Sequence, residues 1–353
     1  MSAPPSTNAT SETRAAAKKA AKKPATIHDV AALSGVAAST VSRALSTPGR
    51  VNFRTRARIE AAVTELKYVP NAQAKALSSG QTKSVAVLVA DITNPFYFDI
   101  IRGTQLQLKA AGYTQLLVDT EESEEVEVNT IEQMLQTADG VILTAPRLSD
   151  EALLLAATKM PLVTINREVP GIPSVLLDTP TATNQALDHL ISLGHSHIAY
   201  LGGPGSSSSN IRRWEALSTA AQERGVQVDR LGPFAPRTYS GAAAADALVY
   251  SGATAGIAFN DLMAIGMLQR LATRGVRVPE DISIVGCDDI FGADFCSPPL
   301  TTVTAPVDQA GRVAVTMLLS RINPGIGTLP RSQSVLPTHL TIRGSTGPAP
   351  LRP

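Results

Sequence analysis

The sequence is poor in cysteine and in aromatic residues: it contains two cysteines and one tryptophan among 353 residues, and aromatic residues make up 4% of it. Cys287 and Cys296 match no metal-binding spacing, so we interpret them as thiols of a protein from a reducing cytoplasm. No apolar run approaches the roughly 20 residues of a membrane helix. The N-terminal lysines precede no apolar segment, which a secretory signal would require. These absences predict a cytoplasmic protein without a membrane partner.

Signatures of catalysis are also missing. Residues 202–205 are rich in glycine but lack the GxGxxG spacing of a dinucleotide site, and the serines of 206–209 lack the GxSxG elbow of a hydrolase. Three histidines lie near one helix end, where we interpret them as structural rather than as metal ligands: His189, His195 and His197. We therefore predict no enzymatic activity, no metal site and no cofactor.

The net charge of +1 hides an uneven distribution along the chain. From Arg14 to Lys83, thirteen lysines and arginines face three acidic residues, whereas residues 84–353 carry eighteen basic and twenty-six acidic residues. A basic N-terminal part on an acidic body indicates a polyanionic partner for the N-terminal part alone. Residues 1–24 show no hydrophobic periodicity, and we predict that they form a disordered basic tail.

Residues 25–70 have the pattern of a three-helix helix-turn-helix domain. Thr26 is placed to cap a first helix together with Asp29, and Ser34-Gly35 turns the chain into a second helix. The start of such a second helix enters the major groove of DNA. On its outward side we predict base contacts from Ala38, Ser39 and Arg43, and phosphate contacts from Thr40 and Ser42. The alternative is a small helical subdomain with an exposed arginine.

Residues 71–83 form a linker that contains helix-forming residues, but too few for a stable helix in isolation. We predict a hinge that becomes ordered when two copies meet over DNA, with Ala74 small enough for their close approach. Leu77 would then be a wedge that opens a step of the minor groove. The alternative is that Leu77 anchors the linker to the core.

From Ser84 onward, short apolar strands alternate with amphipathic helices. We predict strands at residues 85–90, 114–119, 140–144, 161–166, 174–177, 197–201, 256–259 and 282–287. This alternation is typical of doubly wound α/β sheets, and its length indicates two of them. Ligands in such sheets bind beyond the carboxyl ends of the strands.

Several motifs occur in a family order and spacing: Thr26-Ile27-His28-Asp29-Val30-Ala31, Thr40-Val41-Ser42-Arg43, Tyr68-Val69-Pro70-Asn71, Asn94-Pro95-Phe96-Tyr97, Phe259-Asn260-Asp261 and Pro299-Leu300-Thr301-Thr302-Val303. Over residues 25–345 the chain resembles LacI/GalR-type bacterial transcriptional regulators. The resemblance implies a homodimeric repressor that binds a pseudo-palindromic operator under the control of a small-molecule effector. We add Thr26, Asn52, Tyr68 and Asn71 to the predicted DNA contacts.

The resemblance also implies a core like that of periplasmic binding proteins, with two lobes crossed by three strands. We expect lobe 1 from 84–178 and 306–325, lobe 2 from 179–305 and 330–345, and a flexible tail at 346–353. The effector, a sugar or a nucleoside-like metabolite, would lie between the lobes. Aromatic side chains would pack on its ring and polar ones would bind its hydroxyl groups or ring nitrogens; the implied residues are Phe96, Tyr97, Asn166, Arg167, Ser209, Arg213, Asn260 and Asp288.

Three departures from the family pattern bear on these expectations. Ala37 stands where a serine cap is usual, so the second helix lacks a side-chain cap. Asp178-Thr179 replaces Asp-Asn and Cys287 replaces a tyrosine, which leaves the identity of the effector open. Two other functions remain as alternatives, a solute-binding protein without a regulatory role and an enzyme that modifies sugars or nucleotides.

Overall fold

The computed structural model describes residues 25–69, 80–324 and 332–351. The chain divides into two compact units, residues 1–80 and 81–353, which we call the headpiece and the core. The predicted disordered tail at 1–24 lies outside the described residues, and so do the predicted hinge residues Asn71, Ala74 and Leu77.

The described part of the headpiece contains three α-helices: α1 (Ile27–Ser34), α2 (Ala38–Ser46) and α3 (Phe53–Leu66). Their apolar faces meet around Val30, Val41 and Ile59, which are all fully buried. Gly35 adopts a left-handed φ of 62° and ends α1, as glycine does without steric cost. The predicted helix-turn-helix order is therefore confirmed.

The two helices of the motif begin differently. The hydroxyl of Thr26 accepts a hydrogen bond from the backbone N–H of Asp29, and the Asp29 carboxylate accepts one from the backbone N–H of Thr26. This reciprocal capping box confirms the cap predicted for α1. At the start of α2, Ala37 provides no side-chain hydrogen bond.

The core contains two six-stranded sheets. The first has the order β11-β5-β4-β3-β1-β2 and is parallel throughout. Its strands are β1 (Ser84–Val89), β2 (Thr114–Asp119), β3 (Gly140–Thr144), β4 (Leu162–Ile165), β5 (Ser174–Leu177) and β11 (Gln333–Leu336). Its helices are α4 (Phe96–Ala110), α5 (Glu124–Met134), α6 (Asp150–Lys159) and α11 (Val307–Ile322).

The second sheet has the order β12-β10-β9-β8-β6-β7, in which only β12 runs antiparallel to its neighbour. Its strands are β6 (His197–Leu201), β7 (Gln227–Leu231), β8 (Ala255–Ala258), β9 (Ser283–Cys287), β10 (Thr301–Thr304) and β12 (His339–Thr341). Its helices are α7 (Thr179–Ser192), α8 (Ser208–Arg224), α9 (Gly241–Ser251) and α10 (Asp261–Thr273). We call the sheets with their helices lobe 1 and lobe 2.

The chain crosses between the lobes three times: after β5, after β10 and after β11. Two of the crossing segments are bonded to each other. The backbone N–H of Asp178 donates to the carbonyl of Leu336 at 3.0 Å, and the hydroxyl of Thr338 donates to the carbonyl of Asp178 at 2.6 Å. The lobes are therefore joined at a band of adjacent strand ends.

Two predicted boundaries are wrong. We expected residues 330–345 to belong entirely to lobe 2, but β11 pairs with β5 in the lobe 1 sheet, with Gln333 opposite Ser174. We expected a flexible tail from residue 346, but the tail is bonded to lobe 2. The ring of buried His195 contacts the carbonyl of Gly347 at 3.1 Å, and the backbone N–H of Ala349 donates to the carbonyl of Leu193 at 2.8 Å. These backbone partners fix the tail as far as residue 349.

Helix packing in lobe 1 depends on two glycines. A Cβ atom on Gly103 of α4 would lie 2.2 Å from the carbonyl oxygen of Asp308 on α11, and one on Gly311 would lie 2.6 Å from the carbonyl oxygen of Ile100. The backbones of α4 and α11 can approach this closely only without side chains at these positions. Because α4 begins at Phe96, this contact also fixes where Phe96 lies in lobe 1. Among the described residues, no helix combines the length and the apolar character that a membrane span needs.

Candidate functional site

The outward face of α2 is polar and exposed. Val41 and Ala44 point into the headpiece core, whereas Ser39, Ser42 and Arg43 are exposed, and Ala38 and Thr40 are half-buried. The guanidinium of Arg43 makes no hydrogen bond or ion pair with another described residue. The face thus presents two hydroxyl groups and one guanidinium in an arrangement suited to base edges and phosphates.

The remaining predicted DNA contacts in the described headpiece also have roles within it. The Thr26 side chain is bonded to Asp29, and the Asn52 side chain caps α3 by accepting from the backbone N–H of Arg54 at 2.9 Å. Tyr68 is half-buried against the headpiece core. The Arg58 guanidinium donates to the carbonyl of Ser34 at 2.5 Å, so Arg58 fixes the turn between α1 and α2.

A cleft lies between the two lobes of the core, where the carboxyl ends of both sheets meet. Seven of the eight predicted effector residues line it. Phe96 and Tyr97 begin α4, and Asn166 follows β4. The remaining four come from lobe 2: Ser209, Arg213, Asn260 and Asp288.

Arg167, the eighth predicted effector residue, does not line the cleft. Its guanidinium donates to the carboxylate of Asp150 at 2.6 Å, at the start of α6. Asn166 has a left-handed φ of 59°, and its side-chain oxygen accepts from the backbone N–H of Leu177 at 3.2 Å. This turn directs Asn166 into the cleft and the guanidinium of Arg167 toward Asp150, so the effector contact of Arg167 stays a prediction.

Arg213 is the buried cation of lobe 2, with 4% of the residue exposed. Its Nη1 donates to the carbonyl of Phe259 at 2.6 Å and its Nε donates to the carbonyl of Ser209 at 3.2 Å. The guanidinium lies 4.6 Å from the centre of the Phe259 ring, a cation–π contact. These contacts hold the planar group rigidly, which favours directional hydrogen bonds to a ligand.

Two carboxyl groups of lobe 2, those of Asp261 and Asp288, interact electrostatically, and Asp288 lines the cleft. Loss of hydration raises the pKa of Asp288 well above its usual value, and the nearby Asp261 raises it further, whereas Arg213 lowers it. Asp261 is fully buried, and burial raises the pKa of its carboxyl to about 6. It accepts from the hydroxyl of Thr302 at 2.6 Å and from the backbone N–H of Ile290 at 3.0 Å. Asp261 therefore supports the loop that carries Asp288.

Three polar residues of the lobe 1 wall were not predicted as effector residues from the sequence: Asn94, Glu122 and Arg147. Each follows the carboxyl end of a parallel strand, β1, β2 or β3, where ligand-binding residues are expected. The Arg147 guanidinium lies 3.6 Å from the carboxylate of Glu122, and its side chain is 7% exposed. Among the described residues, no group of three His, Cys, Asp or Glu side chains is arranged to hold a metal ion.

Comparisons with known sequences follow this division of the chain. Residues 26–71 match the family described as bacterial regulatory proteins, lacI family, and residues 187–346 match a periplasmic binding protein-like domain. The HTH-type transcriptional regulator DegA of Bacillus subtilis is 32% identical over 337 residues, covering 92% of this chain and 98% of DegA. The HTH-type transcriptional repressor CytR of Escherichia coli is 32% identical over 335 residues, covering 92% of this chain and 97% of CytR.

Solved structures of bacterial regulators are also similar to this chain. A lac repressor dimer bound to operator and an anti-inducer has a TM-score of 0.82 at 26% identity, covering 92% of this chain and all (100%) of that one. A LacI family transcriptional regulator from Enterococcus faecium with bound ribose has a TM-score of 0.67 at 28% identity, covering 76% of this chain and 100% of that one. Both share the cleft-forming pair of lobes with this chain.

Proposed function

Because the chain belongs to the LacI family of bacterial regulatory proteins, we propose that it is a homodimeric repressor whose operator affinity is controlled by a small molecule in the cleft. The exposed Arg43 face of α2 supports DNA binding. A dimer is proposed because one headpiece reads few base pairs and two headpieces double the length of the site. The predicted hinge contacts of Asn71, Ala74 and Leu77 belong to this proposal. Binding to chromosomal DNA would place the protein in the bacterial cytoplasm.

The chemistry of the cleft favours a neutral, polyhydroxylated ring as the effector. The walls carry two guanidinium groups, Arg147 and Arg213, and two carboxyl groups, Glu122 and Asp288, so their formal charges cancel. Phe96 offers an aromatic surface for a ring. Amide side chains complete a lining suited to hydroxyl groups, which supports a sugar or a nucleoside more than a phosphorylated metabolite.

Two measurements test this proposal on the full chain. Binding sites are selected from random duplex DNA and then compared with scrambled DNA in mobility-shift assays. A thermal-shift screen covers sugars, nucleosides and phosphorylated metabolites, and a true effector should raise the melting temperature with the logarithm of its concentration. A protein that binds a cleft ligand but no preferred DNA sequence would instead be a solute-binding protein. A chemically altered ligand after incubation would indicate an enzyme.

Replacement of Arg213 or Asp288 by alanine separates the two activities. We expect either variant to lose the effector response while its operator binding stays near the wild-type level, because both residues line the cleft and neither lies in the headpiece. Calorimetry with the effector found in the screen checks the first expectation, and mobility shift checks the second. Unchanged effector affinity in both variants would contradict the site.

A further inference from the structure

Glu127 on α5 has a buried carboxylate, with 1% of the residue exposed, and it does not line the cleft. Its two oxygens accept from the backbone N–H of Arg147 at 3.0 and 2.9 Å, and one of them also accepts from the backbone N–H of Leu148 at 3.0 Å. Burial raises the pKa of Glu127, and these hydrogen bonds oppose that shift. A buried carboxylate is costly unless it is hydrogen-bonded, and here its partners belong to one turn.

The turn after β3 is fixed on both sides of Arg147. On one side, Ala145 has a left-handed φ of 47°, and its backbone N–H donates to the carbonyl of Ile165 at 2.7 Å. On the other side, the side chain of Leu148 is packed into the lobe 1 core, with 1% of the residue exposed. The guanidinium of Arg147 therefore enters the cleft from a turn whose direction depends on Glu127.

In the cleft, Arg147 pairs with the carboxylate of Glu122, whose backbone is also fixed by a hydrogen bond. Glu122 has a left-handed φ of 57°, and its backbone N–H donates to the carbonyl of Ala90 at 2.8 Å. A guanidinium only donates hydrogen bonds and an ionised carboxylate only accepts them. The 3.6 Å pair thus offers a donor and an acceptor side by side on the lobe 1 wall.

We propose that Glu127 is a positioning residue for effector binding, and that the Arg147–Glu122 pair reads two neighbouring hydroxyl groups of a neutral polyol. This inference rests on the proposed function of the cleft. Arg147 donates to the oxygen of one hydroxyl, and the next hydroxyl donates to Glu122. An analogue that lacks one of the two hydroxyls leaves a buried polar group without a partner, which is the basis of strong discrimination.

Hydrogen exchange on the full chain tests the positioning without any ligand. In Glu127→Ala, the backbone amides of Arg147 and Leu148 should exchange at least about tenfold faster than in the wild type, with Glu127→Gln intermediate because one oxygen remains. Glu132→Gln on the same helix is the matched control, since Glu132 is exposed and pairs with Lys159 at 3.8 Å. Unchanged exchange in Glu127→Ala would overturn the positioning role.

Binding of matched probes tests the specificity. The probes are D-ribose with 2-deoxy-D-ribose and adenosine with 2′-deoxyadenosine, each pair differing by one hydroxyl. We expect the wild type to prefer the hydroxylated member by about tenfold or more. Glu127→Ala and Arg147→Gln should each reduce this preference for the hydroxylated probe. In the double variant, the preference should fall no further than in Arg147→Gln alone, because Glu127 acts through Arg147. In the control variant Glu132→Gln, the hydroxyl preference and the operator binding should both stay within about twofold of the wild type.

The remaining outcomes separate this proposal from the function on which it rests. Additive losses in the double variant, or a preserved hydroxyl preference in Glu127→Ala, would overturn the proposal. A wild-type protein that binds selected operator DNA but none of the four probes would contradict the reading of hydroxyl pairs and leave the regulator function standing. A wild-type protein that binds neither DNA nor any probe would contradict the proposed function itself.

Discussion

Asp261 supports a loop of the core through its hydrogen bonds, but its buried carboxyl also lowers the stability of the folded protein when it ionises. Its carboxyl is fully buried, with Asp289 and Arg343 nearby, and its pKa of about 6 exceeds the ordinary value of 3.8. Between these two values the folded protein keeps a proton that the unfolded chain has lost. The folded state therefore binds more protons, and its stability should fall as the pH rises from about 4 to about 7.

The substitution Asp261→Asn tests this. Over this pH range, the free energy of unfolding of the wild type should fall by roughly 3 kcal/mol more than that of the variant, as urea unfolding at each pH would show. Asp281→Asn is the control. The pKa of Asp281 is lowered to about 2 by Arg277, so its stabilisation is lost only as the pH falls below about 4. Parallel pH profiles for the wild type and Asp261→Asn would contradict the buried-carboxyl argument.

Arg43 carries the most specific prediction for DNA. Its exposed guanidinium can bind a guanine bidentately, so Arg43→Ala should cost about 1–3 kcal/mol on the selected operator and less on scrambled DNA. Arg56→Ala removes an equal charge from α3, where Arg56 pairs with Glu60 at 2.6 Å, and should affect both DNAs alike. Mobility shifts at several salt concentrations check both variants. An equal loss on both DNAs for Arg43→Ala would assign Arg43 to phosphate binding.

Most residues that line the cleft were predicted from the sequence, but Arg167 was named and Arg147 was missed. Both follow a parallel strand by two or three residues, so the rule for strand ends applies to both. Their directions depend on left-handed residues nearby, Ala145 and Asn166, and on the acceptors Glu127 and Asp150. A non-glycine residue in that conformation has no reliable mark in the sequence, because tertiary contacts hold it there.

At the level of elements, the apolar strands were predicted and the polar ones were missed. All eight predicted strands exist. Seven of them are almost continuously buried, which requires an apolar run, whereas β2 is a partly exposed edge strand. β7 is an edge strand with the sequence Gln-Val-Asp-Arg-Leu and has no continuous apolar run. β10 is Thr-Thr-Val-Thr, and its threonines are buried through hydrogen bonds such as that from Thr302 to Asp261. β11 and β12 are three or four residues long and are defined only by distant partners.

The N-caps of α1 and α2 differ, and this difference leads to one stability prediction for each helix. Ala37 has an extended backbone at the N-cap of α2, which a serine would share while adding a hydrogen bond to the first turn. Ala37→Ser should therefore stabilise α2 by about 1 kcal/mol, and Thr26→Ala should destabilise α1 by about the same amount. Amide exchange of α1 and α2 in the full chain measures both. Faster exchange of α2 in Ala37→Ser would contradict the cap argument.

At the level of the whole molecule, the cleft depends on how the lobes of the core meet. Among the ion pairs of the described residues, one joins lobe 1 to lobe 2. It links the carboxylate of Asp91, which follows β1, to the guanidinium of Arg237, which follows β7, at 2.9 Å. The Asp91 side chain is 5% exposed and also accepts from the backbone N–H and the hydroxyl of Thr93. Asp91 is therefore held in place, whereas the side chain of Arg237 is 36% exposed.

Loss of the Asp91–Arg237 pair should shift the core toward a more open arrangement before any effector binds. In Arg237→Gln the attraction is lost, and in Arg237→Glu two carboxylates face each other, so the opening should increase in that order. Small-angle scattering of the ligand-free protein would show a larger radius of gyration. Effector affinity should fall by about twofold to tenfold, because a ligand that binds the closed state is weakened by the fraction of molecules that are open.

Arg277→Gln is the matched control, because Arg277 pairs with Asp281 at 2.6 Å within lobe 2 and touches no other lobe. The wild type should open slightly as salt screens the Asp91–Arg237 attraction, and Arg237→Gln should lose this salt dependence. An unchanged radius of gyration in Arg237→Glu would show that the crossing strands alone set the distance between the lobes. Effector control of the operator would then have to act through those strands, at the bonded segments around Asp178 and Thr338.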